Sequence, residues 1–132
     1  MLKFEHIGIA VKNIEKGIKI WEGIFGLKNV GAIYELPLQM VKVALLDAGG
    51  VKIELLEPIG EESPIAKFLK KRGEGLHHIC FEVRDIETIL SALKKKEVKL
   101  IDESPRQGAF SRKVVFLHPS SSQGVLVELC EK

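Results

Sequence analysis

His6-Ile7-Gly8-Ile9-Ala10-Val11 is answered 72 residues later by His78-Ile79-Cys80-Phe81-Glu82-Val83. Each segment carries a His, an Ile two places before a second bulky apolar residue, and a closing Val. The same offset relates Ile14-Glu15 to Ile86-Glu87, Ile18 to Leu90 and Trp21 to Leu93, all at helical spacing. Further on, Val51-Lys52-Ile53-Glu54-Leu55 is answered by Val125-Leu126-Val127-Glu128-Leu129 at an offset of 74, so two residues inserted in a loop account for the change. A repeat of this period decides the fold before any local propensity does.

Each half reads as strand, helix, loop and further strands, an α+β pattern with one helix per half. The first half predicts a strand over 4–11, a helix over 13–25 ended by Gly26, and strands near 30–35, 40–47 and 51–57. Ala48-Gly49-Gly50 between the last two is a hairpin signal. The second half predicts a strand over 77–83, a helix over 85–96, and strands near 98–102, 112–117 and 124–130. Between the halves, Ser63-Pro64, then Ile65, Phe68 and Leu69, then Gly73 carry the cap, first-turn Pro and terminal Gly of a short helix at about 63–72. The expectation is one domain over residues 1–132, made of two modules at about 1–60 and 74–132 and joined by that helix.

Composition narrows the function. Of 132 residues, 45% are apolar and 29% charged, and 20 Lys+Arg against 18 Asp+Glu leave a net charge of +2, which excludes a dedicated binder of nucleic acid or other polyanions. No apolar run approaches the roughly 18 residues of a membrane span, and Met1-Leu2-Lys3-Phe4-Glu5-His6 lacks the apolar core of a signal peptide. A soluble, cytoplasmic protein is expected. Cys80 and Cys130 are too few for a disulfide scaffold and too far apart for a zinc knuckle.

Side chains alternate along a strand, so His6 shares its face with Gly8 and Ala10, while Ile7, Ile9 and Val11 point the other way. Small residues beside a polar group leave room for a bound molecule. Glu54 and Glu128 sit at matching places in apolar runs, where an ionised carboxylate is costly to bury without compensation. Taken singly, each His reads as a satisfied core residue and each Glu as a solvated or ion-paired one. Together, a His and a Glu in each half suit a divalent Zn, Co, Mn, Ni or Fe ion. The same parity turns Cys80 and Cys130 toward the face of His78 and Glu128, as small lining residues or as an oxidisable pair.

The layout with His6, Glu54, His78 and Glu128 resembles the vicinal oxygen chelate (glyoxalase) superfamily, whose members fold two tandem βαβββ modules into a cupped mixed sheet around a metal ion. Within it, the chain is most similar to the methylmalonyl-CoA epimerases. The carrying stretches are Glu54-Leu55-Leu56-Glu57-Pro58, Ser63-Pro64-Ile65-Ala66-Lys67-Phe68-Leu69, Gly75-Leu76-His77-His78-Ile79-Cys80, Phe116-Leu117-His118-Pro119 and Gly124-Val125-Leu126-Val127-Glu128-Leu129. The resemblance implies an isomerase that interconverts the epimers of a CoA thioester by removing and returning its α-proton. It implies His6, Glu54, His78 and Glu128 as ligands of a divalent ion (Co, Mn, Zn or Ni), Glu128 also as an acid/base, a homodimer, and a place in propionate metabolism. Val43 falls where several relatives carry a Glu that serves as the opposite-face base.

Pro105-Arg106-Gln107-Gly108-Ala109-Phe110-Ser111-Arg112 resembles the family's substrate-side loop, with Ser111 and Arg112 as candidates to hold a free carboxylate. It reads equally as an exposed loop with a Gly hinge. A glyoxalase I acting on a glutathione hemithioacetal, or another metalloenzyme of the superfamily, uses the same four ligands and is the alternative. A metal-free binding module is the other.

Overall fold

The computed structural model describes residues 2–132. They form two compact units, the first of residues 6–77 and the second of residues 2–5 with 78–132. Among the described residues no helix is long and apolar enough to cross a membrane.

The chain begins with β1 (Lys3–Ala10), whose residues from His6 onward belong to the first unit. There follow α1 (Ile14–Phe25), β2 (Lys28–Asn29), β3 (Tyr34–Leu36), β4 (Val41–Asp47), β5 (Lys52–Pro58) and α2 (Pro64–Arg72). Strands run in the order β2-β4-β5-β1, with β3 also paired to β4; β1 lies parallel to β5 and the other pairs are antiparallel. Asn13 starts α1 by accepting the Lys16 N–H, and Gly26 ends it in the left-handed region at φ 69°. Ile9, Val11, Leu46 and Leu55 bury one sheet face against Ile14 of α1. On the other face Ile65, Phe68 and Leu69 of α2 pack on Ala10, Val41, Val43 and Leu56.

The second unit contains most of β6 (Gly75–Val83), then α3 (Ile86–Lys95), β7 (Arg106–Gln107), β8 (Lys113–Leu117) and β9 (Val127–Glu131), ordered β6-β9-β8-β7. Phe4 belongs here through an edge-on contact with Phe81, ring centroids 5.4 Å apart. Its core repeats the first: Val83, Val115, Val127 and Leu129 cover Ile86 and Leu90 of α3. The helix starts match as well. Glu57 Oε1 accepts the Ile14 N–H at 2.8 Å, and Glu131 Oε2 accepts the Ile86 N–H at 3.1 Å. Each carboxylate lies at the positive end of its module's helix.

Two expected strands are reduced. Of the strand expected near 30–35, only its end forms, as β3 from Tyr34; β2 stops at Asn29 before it, and the chain turns between them at Gly31, which has φ 92°. The strand expected near 98–102 is a single bridge, Leu100 to Leu117, and the edge strand forms later as β7. There the Asp102 carboxylate takes the Phe116 N–H at 2.8 Å, and the Ile101 and Asp102 amides both donate to the Phe116 carbonyl. A side chain replaces the backbone acceptor and regular pairing stops.

Candidate active site

In the first unit Gly8 pairs with Glu54, which places Glu54 diagonally from His6 on the same sheet face. The two side chains meet, His6 Nε2 to Glu54 Oε1 at 3.6 Å, with the residues 5% and 7% exposed. In the second unit Cys80 pairs with Glu128, so His78 and Glu128 are diagonal in the same way, Nε2 to Oε1 at 3.3 Å. The offsets of 72 and 74 thus reproduce one register twice. Each pair joins an imidazole nitrogen to a carboxylate oxygen in a nearly dry setting, where the carboxylate's charge needs a cation or a protonated imidazole beside it. Each pair offers one nitrogen and one oxygen donor of the kind a divalent transition ion takes. The Phe116 ring stands edge-on to His78, centroids 5.9 Å apart, and Leu45 holds the corresponding register opposite Glu54.

Val43 is 1% exposed and packs among Ala10, Val41 and Leu56, so an apolar wall stands at the position where the resemblance implies the opposite-face base. His77 stacks edge-on against Phe68 at 4.9 Å. His118 accepts the Ser120 N–H at 3.1 Å and holds the turn at Pro119–Ser122.

Ser111 and Arg112 line an open cleft of about 600 Å³ with Ser104, Arg106, Gln107 and Lys113. Ser111 is exposed, and it follows Phe110 in a second consecutive left-handed conformation, φ 60° after 59°. Such residues each cost on the order of 1 kcal/mol or more and persist only where their surroundings hold them. Arg112 provides that hold. Its Nε donates to the Glu131 carbonyl at 2.9 Å, one terminal nitrogen meets Glu82 at 2.7 Å, and the other lies 3.8 Å from Glu5. Burial works against this charge, but the Cys130 thiol and the Glu82 and Glu5 carboxylates outweigh it and hold the guanidinium above its usual range. Gly108 is required nearby, since a Cβ there would stand 2.6 Å from Val114 Cγ1.

Cys80 and Cys130 come together in the second unit, Sγ to Sγ 3.3 Å, buried beside Val114 and Phe116. The hydrogen bond to Cys130, with burial, pushes the Cys80 thiol up, and accepting it draws Cys130 down. Glu5 and Glu82, the partners of Arg112, were not singled out by the motif reading. Parity alone carried a signal for Glu82, which shares its face with His78 and Cys80.

The chain matches the family model of the glyoxalase/bleomycin resistance protein/dioxygenase superfamily over residues 5–116. It is 41% identical to the mitochondrial methylmalonyl-CoA epimerase of Bos taurus, the match covering 96% of this chain and 73% of that one. It is 40% identical to an ethylmalonyl-CoA/methylmalonyl-CoA epimerase of Cereibacter sphaeroides, covering 96% of each. Among solved structures, a methylmalonyl-CoA epimerase in complex with methylmalonyl-CoA and NH4+ superimposes with a TM-score of 0.90 at 31% identity, covering 100% of this chain and 95% of that one.

Proposed function

The chain belongs to the glyoxalase/bleomycin resistance protein/dioxygenase superfamily, and on that premise we propose that it is a methylmalonyl-CoA epimerase. The observation that carries this reading is the repeated His–Glu register, found in a chain about two-fifths identical to named epimerases along nearly its whole length. In this reading His6, Glu54, His78 and Glu128 hold one divalent ion of the Co, Mn, Zn or Ni class. Such an ion supplies Lewis acidity that stabilises negative charge developing on a thioester oxygen.

The chain's own residues perform the proton chemistry. The substrate carbon lies between a thioester and a carboxylate, so its proton is weakly acidic and needs a base within hydrogen-bond reach. Glu128 is that base for one epimer and, in the reverse direction, the acid that delivers the proton on its own face. Its side chain is 12% exposed and lies 3.3 Å from His78. Val43 donates no proton, so the acid for the opposite face comes from another group. Ser111, which lines the cleft at residues 104–113, is the candidate hand for the substrate's free carboxylate, while Arg112 shapes that loop through Glu82 and Glu5.

The reading carries a homodimer working in the cytoplasm on a CoA thioester of propionate metabolism, without nucleic acid or membrane. Exposed Ile20, Ile24 and Phe25 on α1 supply apolar surface for such a pairing. The test is α-proton exchange: protein loaded with cobalt or manganese is incubated with methylmalonyl-CoA in deuterated water and followed by NMR, beside a lactoylglutathione assay on the same preparation. Exchange without lactoylglutathione supports the epimerase. Lactoylglutathione without exchange overturns it in favour of glyoxalase I.

A further inference from the structure

Phe116 is held from several sides. Asp102 accepts its N–H at 2.8 Å, and its carbonyl takes the Ile101 and Asp102 amides at 2.9 and 3.3 Å. The same Asp102 carboxylate lies 3.2 Å from Arg106 Nε, and the Arg106 guanidinium stands 5.1 Å over the Phe116 ring. One carboxylate thus fixes both the backbone that carries the ring and the cation that covers it, a pairing the ring's negative face favours. Regular strand pairing before β7 is given up for this arrangement.

The register shows what the ring is held against. Phe116 pairs with Glu128 across β8 and β9, and Arg106 pairs with Val114 across β7 and β8, so Arg106, Phe116 and Glu128 share one sheet face. Directly opposed residues have Cβ atoms about 4.5–5.5 Å apart. The half-buried ring also meets His78 edge-on. On the β6 side of Glu128 the same face carries His78 and Cys80, which are polar or small.

We propose that Phe116 sets which group the substrate carries on its α-carbon, admitting a methyl and disfavouring longer alkyl chains, with Asp102 and Arg106 as positioning residues that act through it. This rests on the reading of Glu128 as the proton-transferring base. A base takes a proton within hydrogen-bond reach, about 2.6–3.2 Å, and the other substituents are one bond from the carbon that bears it. A carbon presented to Glu128 therefore brings those substituents beside the Phe116 ring. The thioester and carboxylate need polar partners, so the alkyl group is the one an aromatic wall suits. A ring free to tilt would yield to an extra methylene; one covered by a guanidinium and fixed at its N–H and carbonyl resists it.

Ethylmalonyl-CoA, one methylene longer, is the probe. Proton exchange at the α-carbon in deuterated water is followed by NMR for both thioesters with the metal-loaded protein. The wild type should favour methylmalonyl-CoA by at least about tenfold in kcat/KM, the lower end of what one methylene is worth in an apolar pocket, and Phe116→Ala should bring that preference below about threefold. Phe116→Leu keeps an apolar side chain in place and should move the preference the same way, which covers an Ala protein that fails to fold. Arg106→Ala alters a side chain 57% exposed and should lower the preference about two- to fivefold, the worth of a cation over such a ring. Arg106→Lys should restore part of it. A wild type indifferent to the extra methylene, equal losses on both thioesters in the Phe116 variants, or relaxation by Leu45→Ala with none by Phe116→Ala overturns the proposal. A wild type that exchanges neither thioester overturns the epimerase reading itself, so the two failures are told apart.

Discussion

Replacing Arg112 by Ala separates two roles for this residue. Glu82 and Glu5 would lose their shared cation while keeping side chains only 20% and 15% exposed, and the Glu131 carbonyl would lose its donor. Removing one partner of a fully buried ion pair costs about 3–5 kcal/mol. Arg112 is 28% exposed at its side chain, so solvent screens part of that loss, and about 2–3 kcal/mol is expected. For a chain of 132 residues this is a fall in Tm of roughly 8–12 °C. Arg112→Lys keeps the charge but not the fork that serves three acceptors, and should recover less than half of the loss. Arg112→Met with Glu82→Met should be milder than Arg112→Ala, because both charges leave together. The guanidinium's proton affinity is raised in the fold, so its contribution is full below the ordinary Arg range and is lost only as pH rises through the raised value. The Arg112→Ala deficit should therefore not shrink as pH rises from 5 to 9, a window of about four units far below that range. Thermal melts by circular dichroism, with KM for methylmalonyl-CoA, are the assay. An unchanged Tm with a raised KM would refute the clamp and make Arg112 a substrate ligand.

Other perturbations test the framework. Glu57→Gln and Glu131→Gln each weaken a charged acceptor on a helix-start amide and should cost similar amounts, about 1–2 kcal/mol in urea melts, because the two modules use them alike. Leu55→Ala empties a fully buried site and should cost about 3–4 kcal/mol. A Cβ on Gly17 would meet Leu55 Cδ1 at 3.1 Å, so Gly17→Ala should be better tolerated in the Leu55→Ala background than in the wild type, as a double-mutant cycle would read. The Thr88 backbone N–H holds the Asp85 carboxyl below its usual range, giving stability that is present above the ordinary Asp value and lost as pH falls through the lowered one. Asp85→Ala should flatten the acid limb of Tm against pH. Substituting His6 or His78 by Ala should lower the bound divalent metal by at least about tenfold in affinity, measured by elemental analysis after dialysis.

The repeat made most of this fold legible. One offset aligned the two helix starts and another aligned the two Glu-bearing strands, so each half was seen to carry one His and one Glu at matching places; the diagonal register in which they meet comes from the pairing of β1 with β5 and of β6 with β9. What stayed hidden depended on partners distant in sequence. Nothing around Ile101 and Asp102 signals that a carboxylate will intercept the Phe116 amide, so a strand was expected where a bridge forms. Arg112 in an exposed-looking loop suggested a hand for substrate; its engagement by Glu5, Glu82 and Glu131 comes from three strands far apart in the chain. The thiols were placed on one face by parity, but their approach to 3.3 Å needed the β6 and β9 register.

In the proposed reading, the paired His and Glu of each module make this small fold an enzyme for α-proton transfer on methylmalonyl-CoA. Deuterium incorporation at the substrate's α-carbon, compared between metal-loaded wild type and Glu128→Ala, tests it most directly. Incorporation by the wild type and a fall of about 10²–10⁴-fold in the variant are expected. Fully metal-loaded wild type that incorporates no deuterium, or a Glu128→Ala protein that exchanges at the wild-type rate, would contradict it.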